Sequence, residues 1–379
     1  MQPIYLDYNA TTPIAPEVQQ ALLPFLAEQY GNPSSGHSLG RASHEAVEDA
    51  RTRVAGLLGC HADEIVFTSC GTESNNLALK GVAFRRAMPL RGHLVISSLE
   101  HPAITEPAKF LGRLGLDVTV VPCGRDGMVD PDAVIRALRR DTLLVSVMHA
   151  NNEIGTIQPI GEIARRCREQ NVTVHTDAAQ SAGKIAVDVD ALGVDLLSIA
   201  GHKLYAPKGV GALYVRRGVA LESVLHGAGQ EHGLRAGTEN VPYLVGLGAA
   251  AESAAGHLKV ANESMAALRD RLFERLSQRI GEPLEVNGGG GKRLPNTLSI
   301  NFPRVAAEEM LRRVPELCAS TGAACHSGST HMSTTLQAIG LSPTVARGTM
   351  RLSVGRFTSE EEVDRAADLL SEAWRALQP

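Results

Sequence analysis

Apolar and polar residues form blocks along the chain that predict strands and helices in alternation. Short apolar runs without helical periodicity are typical of buried strands, and stretches with apolar residues at helical spacing separate them. The predicted strands cover residues 64–68, 93–97, 117–121, 143–149, 172–176, 194–200 and 211–215. The predicted helices cover about 15–30, 39–58, 102–114, 130–139 and 160–170, and one more runs from the turn at 69–76 to about 86. Strands joined by helices imply right-handed crossovers and a mostly parallel sheet between two layers of helices.

The last third of the chain indicates a second, smaller α/β unit. A long alanine-rich helix is predicted over 240–280, and the four glycines at 288–291 are the clearest hinge or linker signal. The predicted elements after it are strands 296–302, 316–320 and 350–353 and helices near 307–313 and 359–377. We therefore predict an α/β fold with a large domain over 15–257 and a small domain formed by 1–14 and 258–379.

The composition is that of an ordinary globular protein and argues against several kinds of function. Of the 379 residues, 44% are hydrophobic and 21% are charged, and the formal net charge of −4 gives no reason to expect nucleic-acid or membrane binding. The opening residues are too polar for a signal peptide, and no apolar run approaches membrane-spanning length. Six cysteines without a C-x-x-C pair favour reduced thiols and a cytoplasmic location. No zinc-binding spacing of His and Cys is present, so no metal is expected.

Polar residues follow directly after several of the predicted strands. They are Glu100 and His101, residues 151–153, Asp177 and Lys203. Because the carboxyl ends of parallel strands share one edge of a sheet, we expect these side chains to gather there. A lysine at the end of an apolar strand loses hydration, which lowers its pKa and makes its amine a nucleophile toward carbonyls. For Lys203 taken alone, a solvated loop lysine is the alternative.

A lysine and an aspartate at the ends of two strands fit a pyridoxal phosphate site. This cofactor needs a lysine for its aldehyde and a carboxylate at its pyridine nitrogen, so that the ring can act as an electron sink. It also needs a phosphate cradle and a flat group against the ring. The strand, Gly71-Thr72 turn and following helix offer free backbone N–H groups for a phosphate, and His101 is the flat group. An ordinary helix cap is the alternative for Thr72.

Several motifs of this chain together resemble the cysteine desulfurases of the aminotransferase class V family. They follow in family order, cover nearly the whole chain, and are Leu6-Asp7-Tyr8-Asn9-Ala10-Thr11-Thr12, Gly31-Asn32-Pro33-Ser34-Ser35, Gly71-Thr72-Glu73-Ser74-Asn75-Asn76, Glu100-His101, Asn151-Asn152-Glu153-Ile154-Gly155, Thr176-Asp177-Ala178-Ala179-Gln180, Gly201-His202-Lys203-Leu204-Tyr205-Ala206-Pro207-Lys208-Gly209, Arg235-Ala236-Gly237-Thr238-Glu239-Asn240 and Arg351-Leu352-Ser353-Val354-Gly355-Arg356. The resemblance implies the type I fold of pyridoxal-phosphate-dependent transferases.

The resemblance also implies how the cofactor ring is held. Lys203 would bond covalently to the aldehyde, and Asp177 would pair with the pyridinium nitrogen. Gln180 would bond the ring hydroxyl. His101 would stack on the ring and relay protons.

The same resemblance implies the residues that hold the two acidic groups. Gly71, Thr72 and His202 would bind the cofactor phosphate, joined by Thr238 from a second subunit of a homodimer. Asn152, which also lies beside the cofactor, would receive the substrate carboxylate with Arg351 and Asn32. One position departs from the pattern, because many relatives have a serine where this chain has Ala200, so one phosphate hydrogen bond would be missing.

A loop rich in Gly, Ser and Ala, about 321–335, carries Cys325 at its centre beside His326. The neighbouring histidine favours the thiolate, whereas the other cysteines are expected to be buried and structural. In the resemblance, Cys325 is the persulfide-forming cysteine of the iron–sulfur-assembly or nitrogen-fixation type of desulfurase. Such an enzyme converts L-cysteine to L-alanine and passes the sulfur to an acceptor such as an iron–sulfur scaffold protein.

Three other functions compete with this interpretation. A selenocysteine lyase acting on L-selenocysteine is the nearest, since the residues around Cys325 are also similar to that subgroup. A transaminase of the same fold would have no use for a loop that carries a cysteine. A non-enzymatic scaffold would not need Lys203, Asp177, His101 and Arg351 together.

Overall fold

The computed structural model describes residues 3–86, 89–326 and 329–378, and of residues 323–326 and 329–331 it describes the backbone only. The strands are β1 (Ile4–Tyr5), β2 (Ile65–Thr68), β3 (His93–Ser97), β4 (Asp117–Val121), β5 (Thr142–Ser146), β6 (Thr173–Asp177), β7 (Leu196–Ala200), β8 (Gly211–Val215), β9 (Glu285–Val286), β10 (Thr297–Asn301), β11 (Leu317–Cys318), β12 (Ser320–Thr321), β13 (Ala323–His326), β14 (Ser329–Met332) and β15 (Thr349–Ser353). The α-helices are α1 (Pro16–Ala27), α2 (Ser38–Leu58), α3 (Gly71–Phe84), α4 (Pro102–Arg113), α5 (Pro131–Ala137), α6 (Ile160–Arg168), α7 (Val189–Leu192), α8 (Val241–Ile280), α9 (Ala307–Arg313), α10 (Thr334–Ala338), α11 (Pro343–Arg347) and α12 (Glu360–Arg375).

The larger sheet has the strand order β2-β8-β7-β6-β5-β3-β4, and only β8 runs antiparallel to its neighbours. Successive residues of a strand point to opposite faces, so Leu196 packs with α3 and α4 while Leu197 packs with α2, α6 and α8. Both faces of the sheet are therefore covered by helices. The predicted α/β fold with a mostly parallel sheet is confirmed.

A second, smaller sheet has the order β12-β15-β10-β9 and is antiparallel. It packs on α9, α12 and the last third of α8, around a core of its own. Helix α8 links the two cores, because its residues up to Ala251 pack in the first and those from Met265 onward in the second. The domain boundary predicted at 257/258 falls in this helix and stays a prediction.

The four glycines at 288–291 are not a linker between domains, so that interpretation was wrong. They form a turn between β9 and β10, inside the smaller sheet. Gly288 has φ +69 there, and a Cβ on it would lie 2.6 Å from Thr156 Oγ1. At Gly288, glycine thus allows the turn to pack closely against Ile154 and Thr156 and does not provide a flexible connection.

The segment around Cys325, predicted as a loop, has the backbone of an antiparallel hairpin formed by β13 and β14. Cys325 is opposite Thr330 in this hairpin, and its side chain lies outside the described part of the chain. At the base of the hairpin, the Ser333 amide donates to the Gly322 carbonyl at 3.1 Å.

Within the described ranges, no helix is long and apolar enough to cross a membrane.

Candidate active site

A cavity of about 450 Å³ opens at the carboxyl ends of β6 and β7 and the start of α3. Its walls contain most of the predicted site residues: Gly71, Thr72, His101, Asn152, Asp177, Gln180, His202, Lys203 and Arg351. The sheet therefore gathers these side chains at one edge, as the positions of the strand ends predict. Their individual roles stay predictions.

Lys203 lies in the single 3₁₀ turn Gly201–Lys203 that follows β7 directly. Its Nζ donates to the backbone carbonyls of Asn9 and, at 2.7 Å, of Ala10. Burial, and then the positive charge of Arg351, lowers the pKa of Lys203 to about 8. A useful fraction of the amine is therefore unprotonated and nucleophilic near neutral pH.

Asp177 is the last residue of β6, and both of its carboxylate oxygens are held by donors. Oδ2 accepts from Asn75 Nδ2 at 2.7 Å, and Oδ1 accepts from the Ala179 amide at 2.9 Å. These bonds fix the carboxylate at the wall of the cavity, where it can pair with a ring nitrogen. Asn75 was missed as a site residue, although it follows Thr72 by one helical turn, which is a signal that it shares a face with Thr72.

His101 caps the N-terminus of α4, and its Nδ1 accepts from the Ala103 amide at 3.1 Å. This bond leaves the ring proton on Nε2. Burial lowers the pKa of His101, so the ring is neutral in this site. A neutral flat ring beside Asp177 and Lys203 can stack on an aromatic cofactor.

The turn from β2 into α3 provides a cradle for an anion. The first turn of α3 exposes Thr72 and presents backbone N–H groups that no earlier helical turn accepts. His202 lies beside this turn, with its Nδ1 3.2 Å from Thr11 Oγ1. Burial, and then the charge of Lys203, lowers the pKa of His202 to about 4, so its ring is neutral.

Two small residues shape the same cradle. A Cβ on Gly71 would lie 3.2 Å from the Cβ of Ala200, so the end of β7 and the start of α3 are in close contact. Cys70 precedes this helix and lines the cavity, although it was expected to be buried and structural.

Arg351 reaches the cavity from β15 of the smaller sheet. Its Nη2 donates to Asp7 Oδ1 at 2.6 Å and to Ser320 Oγ at 2.9 Å, and its Nη1 donates to the Asn152 carbonyl at 3.1 Å. Its Nε is buried and has no partner among the described residues. A guanidinium with an unused donor at this place can bind a carboxylate.

The N-terminal segment 7–12 forms hydrogen bonds with several residues of the site, which local sequence pattern does not reveal. Asp7 holds Arg351, and the Asn9 carbonyl accepts from Gln180 Nε2 at 2.9 Å as well as from Lys203. Asn9 Nδ2 also donates to Thr297 Oγ1 at 2.8 Å in the smaller sheet. The only signal for this function was the match of the whole segment to a family motif.

Three of the predicted site residues are not among the described residues that line this cavity in one chain. Asn32 is exposed, and its Oδ1 accepts from the Ser34 amide at 2.9 Å. Thr238 is exposed as well, in a segment that Arg235 ties to α3 through an ion pair with Glu73 at 2.9 Å. For Cys325 no side-chain position is described.

The described residues fit pyridoxal phosphate. The cavity is large enough for the ring, and it places a half-buried amine, a doubly held carboxylate, a neutral flat ring and a helix N-terminus around one space. These parts define the class of pyridoxal-phosphate-dependent enzymes of the type I fold.

Comparison with known proteins narrows this class, and the chain belongs to the aminotransferase class-V family, which matches residues 4–366. It is 46% identical to cysteine desulfurase IscS of Dictyoglomus turgidum over 99% of this chain and 96% of that protein. A solved NifS-like protein superposes with a TM-score of 0.92 at 36% identity, over 99% of this chain and 100% of that one. A solved structure of SspA in complex with cysteine gives a TM-score of 0.84 at 39% identity, over 94% and 99% of the two chains. The predicted family, fold and cofactor are confirmed.

Proposed function

We propose that this protein is an L-cysteine desulfurase that uses pyridoxal phosphate and leaves a persulfide on Cys325. The observation that supports this most is the position of Lys203, whose half-buried amine lies in the same cavity as Asp177 and Arg351. The similar proteins named cysteine desulfurase, and the one solved with cysteine, point to the substrate.

Four residues would hold the cofactor ring. Lys203 bonds to the aldehyde, Asp177 keeps a proton on the pyridine nitrogen, Gln180 donates to the ring oxygen, and His101 stacks on the ring. When bound, the cofactor supplies an electron sink for the carbon that is being deprotonated. Once its amine is free, Lys203 takes the proton from the substrate Cα, for which a pKa near 8 is suitable.

The phosphate and the substrate carboxylate would occupy opposite ends of the cavity. Gly71 and Thr72, at the start of α3, bind the phosphate together with His202 Nε2. Arg351 binds the substrate carboxylate with Asn152, and its bond to Asp7 fixes the plane of the guanidinium.

The thiolate of Cys325 then attacks the sulfur of bound L-cysteine. A sulfur–sulfur bond forms, the carbon–sulfur bond breaks, and its electron pair stays with the carbon, which is protonated to give L-alanine. Cys60 and Cys167 suit this reaction less, because burial raises the pKa of each thiol to about 12.

We further propose a cytoplasmic homodimer that passes its sulfur to an acceptor such as an iron–sulfur scaffold protein. Thr238 and Asn32, which are exposed in one chain, would complete the phosphate and carboxylate sites of the partner subunit. The five cysteines with described side chains are all free thiols, which supports a reducing compartment.

The test is product analysis with L-cysteine and, separately, L-selenocysteine as substrate. We expect one alanine per sulfur removed from L-cysteine, and mass spectrometry of the protein should find the added sulfur on the peptide that contains Cys325. Alanine from L-selenocysteine only, with no persulfide on that peptide, would show a selenocysteine lyase instead.

A further inference from the structure

Lys184 is a second lysine at this site, and it lies behind Gln180 as seen from the cofactor cavity. Lys184 is the last residue of the turns that follow β6. Gly183, directly before it, has φ +74, and a Cβ on Gly183 would lie 2.3 Å from Leu204 Cδ2. This tight turn brings the Lys184 side chain under Gln180. Only 5% of Lys184 is exposed, and Asn262 of α8 donates to its carbonyl at 3.0 Å.

No acidic side chain compensates Lys184 within the described residues. None of their carboxylates forms an ion pair with it, and the charged groups that act on it, Lys203 and Arg351, are both cations. Glu17 lines the small cavity next to Lys184, as do His257 and Arg356, but Glu17 already accepts from Ser253 and pairs with Arg356. Burial therefore lowers the pKa of Lys184 well below that of an ordinary lysine.

The amine has one clear partner. Lys184 Nζ donates to Gln180 Oε1 at 2.8 Å, while Gln180 Nε2 donates to the Asn9 carbonyl at 2.9 Å. The Asn9 carbonyl can only accept, so turning the amide over would set the Gln180 oxygen against that carbonyl and would lose the present bond from Lys184. Gln180 also lines the cofactor cavity, and its second N–H is the donor that remains for that space.

We propose that Lys184 is a positioning residue that fixes the amide of Gln180 so that an N–H, and not the oxygen, faces the cofactor. This rests on the proposed function, in which Gln180 donates to the ring oxygen of pyridoxal phosphate. A donor there stabilises the negative charge of that oxygen. Without this donor, the oxygen holds the proton on the neighbouring nitrogen of Lys203 more tightly, and the pKa of that nitrogen is higher.

The test measures the pH midpoint of the visible absorbance of the lysine-bound cofactor in Lys184→Met, in Gln180→Leu and in the double variant. We expect both single variants to raise the midpoint by roughly half a pH unit or more, a three-fold or larger rise in proton affinity. We expect the double variant to match Gln180→Leu alone, because Lys184 acts through Gln180. Lys259→Met, which replaces an exposed lysine of α8, should leave the midpoint unchanged.

Two results would overturn the proposal. If Lys184→Met shifts the midpoint equally with and without Gln180, Lys184 acts by charge, and if it shifts nothing, its role is packing alone. Methionine has a similar length but leaves Gln180 Oε1 without its donor, so the cofactor-free variant should fold and should unfold at a slightly lower temperature than the wild type. If Lys184→Met does not fold, Lys184→Gln is used in its place. Lys184→Gln keeps a donor and should shift the midpoint less than Gln180→Leu does. An equal shift would refute the proposal.

These outcomes are separate from the fate of the proposed function. If the wild type forms no lysine-bound cofactor or releases no alanine from L-cysteine, the proposed function fails. If the wild type does both and Lys184→Met has no effect on the midpoint, only the assignment of Lys184 fails.

Discussion

Lys203 shows which properties of a single residue could be predicted from the sequence. Its place after an apolar strand predicts lost hydration and a lowered pKa, and in the structure the side chain is half-buried and its pKa is lowered. The carbonyls of Asn9 and Ala10 that hold its amine could not be predicted, because no local pattern relates residues so far apart in the chain. Lys184 was also missed, because its burial follows only from the packing of the folded chain.

The low pKa of Lys203 predicts how the cofactor-free protein takes up pyridoxal phosphate. Only the unprotonated amine attacks the aldehyde, so the rate of attachment should rise with pH through a midpoint of about pH 8. For a lysine with the ordinary pKa, the midpoint would be about pH 10.5. Stopped-flow absorbance across a pH series measures this rate. Lys203→Ala should show no attachment, and its turnover of L-cysteine should fall by about a hundred-fold or more. Attachment to another lysine in that variant would contradict the assignment.

At the scale of elements, the sequence predicts well those strands and helices that end at turn residues. Strands 93–97, 117–121 and 211–215 and helix 307–313 have the predicted bounds. The hairpin at 323–332 could not be predicted, because a run rich in Gly, Ser and Ala has no alternating pattern of apolar residues. The glycines at 288–291 were wrongly interpreted as a linker for a related reason, since glycine occurs where a turn packs closely against its neighbours as well as in linkers.

The contact between the end of β7 and the start of α3 leads to a prediction about Ala200. Ala200→Ser would add a hydroxyl at the phosphate cradle, and one added hydrogen bond of about 1 kcal/mol should lower the dissociation constant for pyridoxal phosphate by roughly five-fold. Equilibrium dialysis of the cofactor-free protein measures it, and Ala228→Ser, at an exposed position, is the control. Weaker binding in Ala200→Ser would mean that the phosphate does not lie against this turn.

At the scale of the whole molecule, the site depends on both sheets. Lys203 and Asp177 come from the larger sheet, Arg351 from the smaller one, and the N-terminal segment 7–12 bonds to both. Helix α8 connects the two cores as one continuous element. The relative position of the cofactor and substrate sites is thus fixed by the complete fold, which the sequence pattern alone does not determine.

The proposed dimer predicts a specific result for mixed subunits. Thr238→Ala should weaken cofactor binding by about ten-fold, the loss of one hydrogen bond to a charged group. A heterodimer of one Lys203→Ala subunit and one Thr238→Ala subunit, purified by two tags, should keep one site of wild-type affinity, because the intact lysine then meets the partner's intact threonine. If that remaining site is weakened as in the Thr238→Ala homodimer, Thr238 acts within its own subunit. A monomer that turns over L-cysteine would refute the shared site altogether.

Cys325 is the proposed acceptor of the sulfur, and alanine formation by Cys325→Ser with reductant present tests this role. A serine hydroxyl is too weakly acidic to accept sulfur, so the rate on L-cysteine should fall by about a hundred-fold or more while the visible absorbance of the bound cofactor is unchanged. Cys318→Ser, which replaces another free thiol, should keep the wild-type rate. On L-selenocysteine, Cys325→Ser should keep substantial activity, because selenium can leave without a thiolate acceptor. Wild-type alanine formation from L-cysteine by Cys325→Ser would contradict the account.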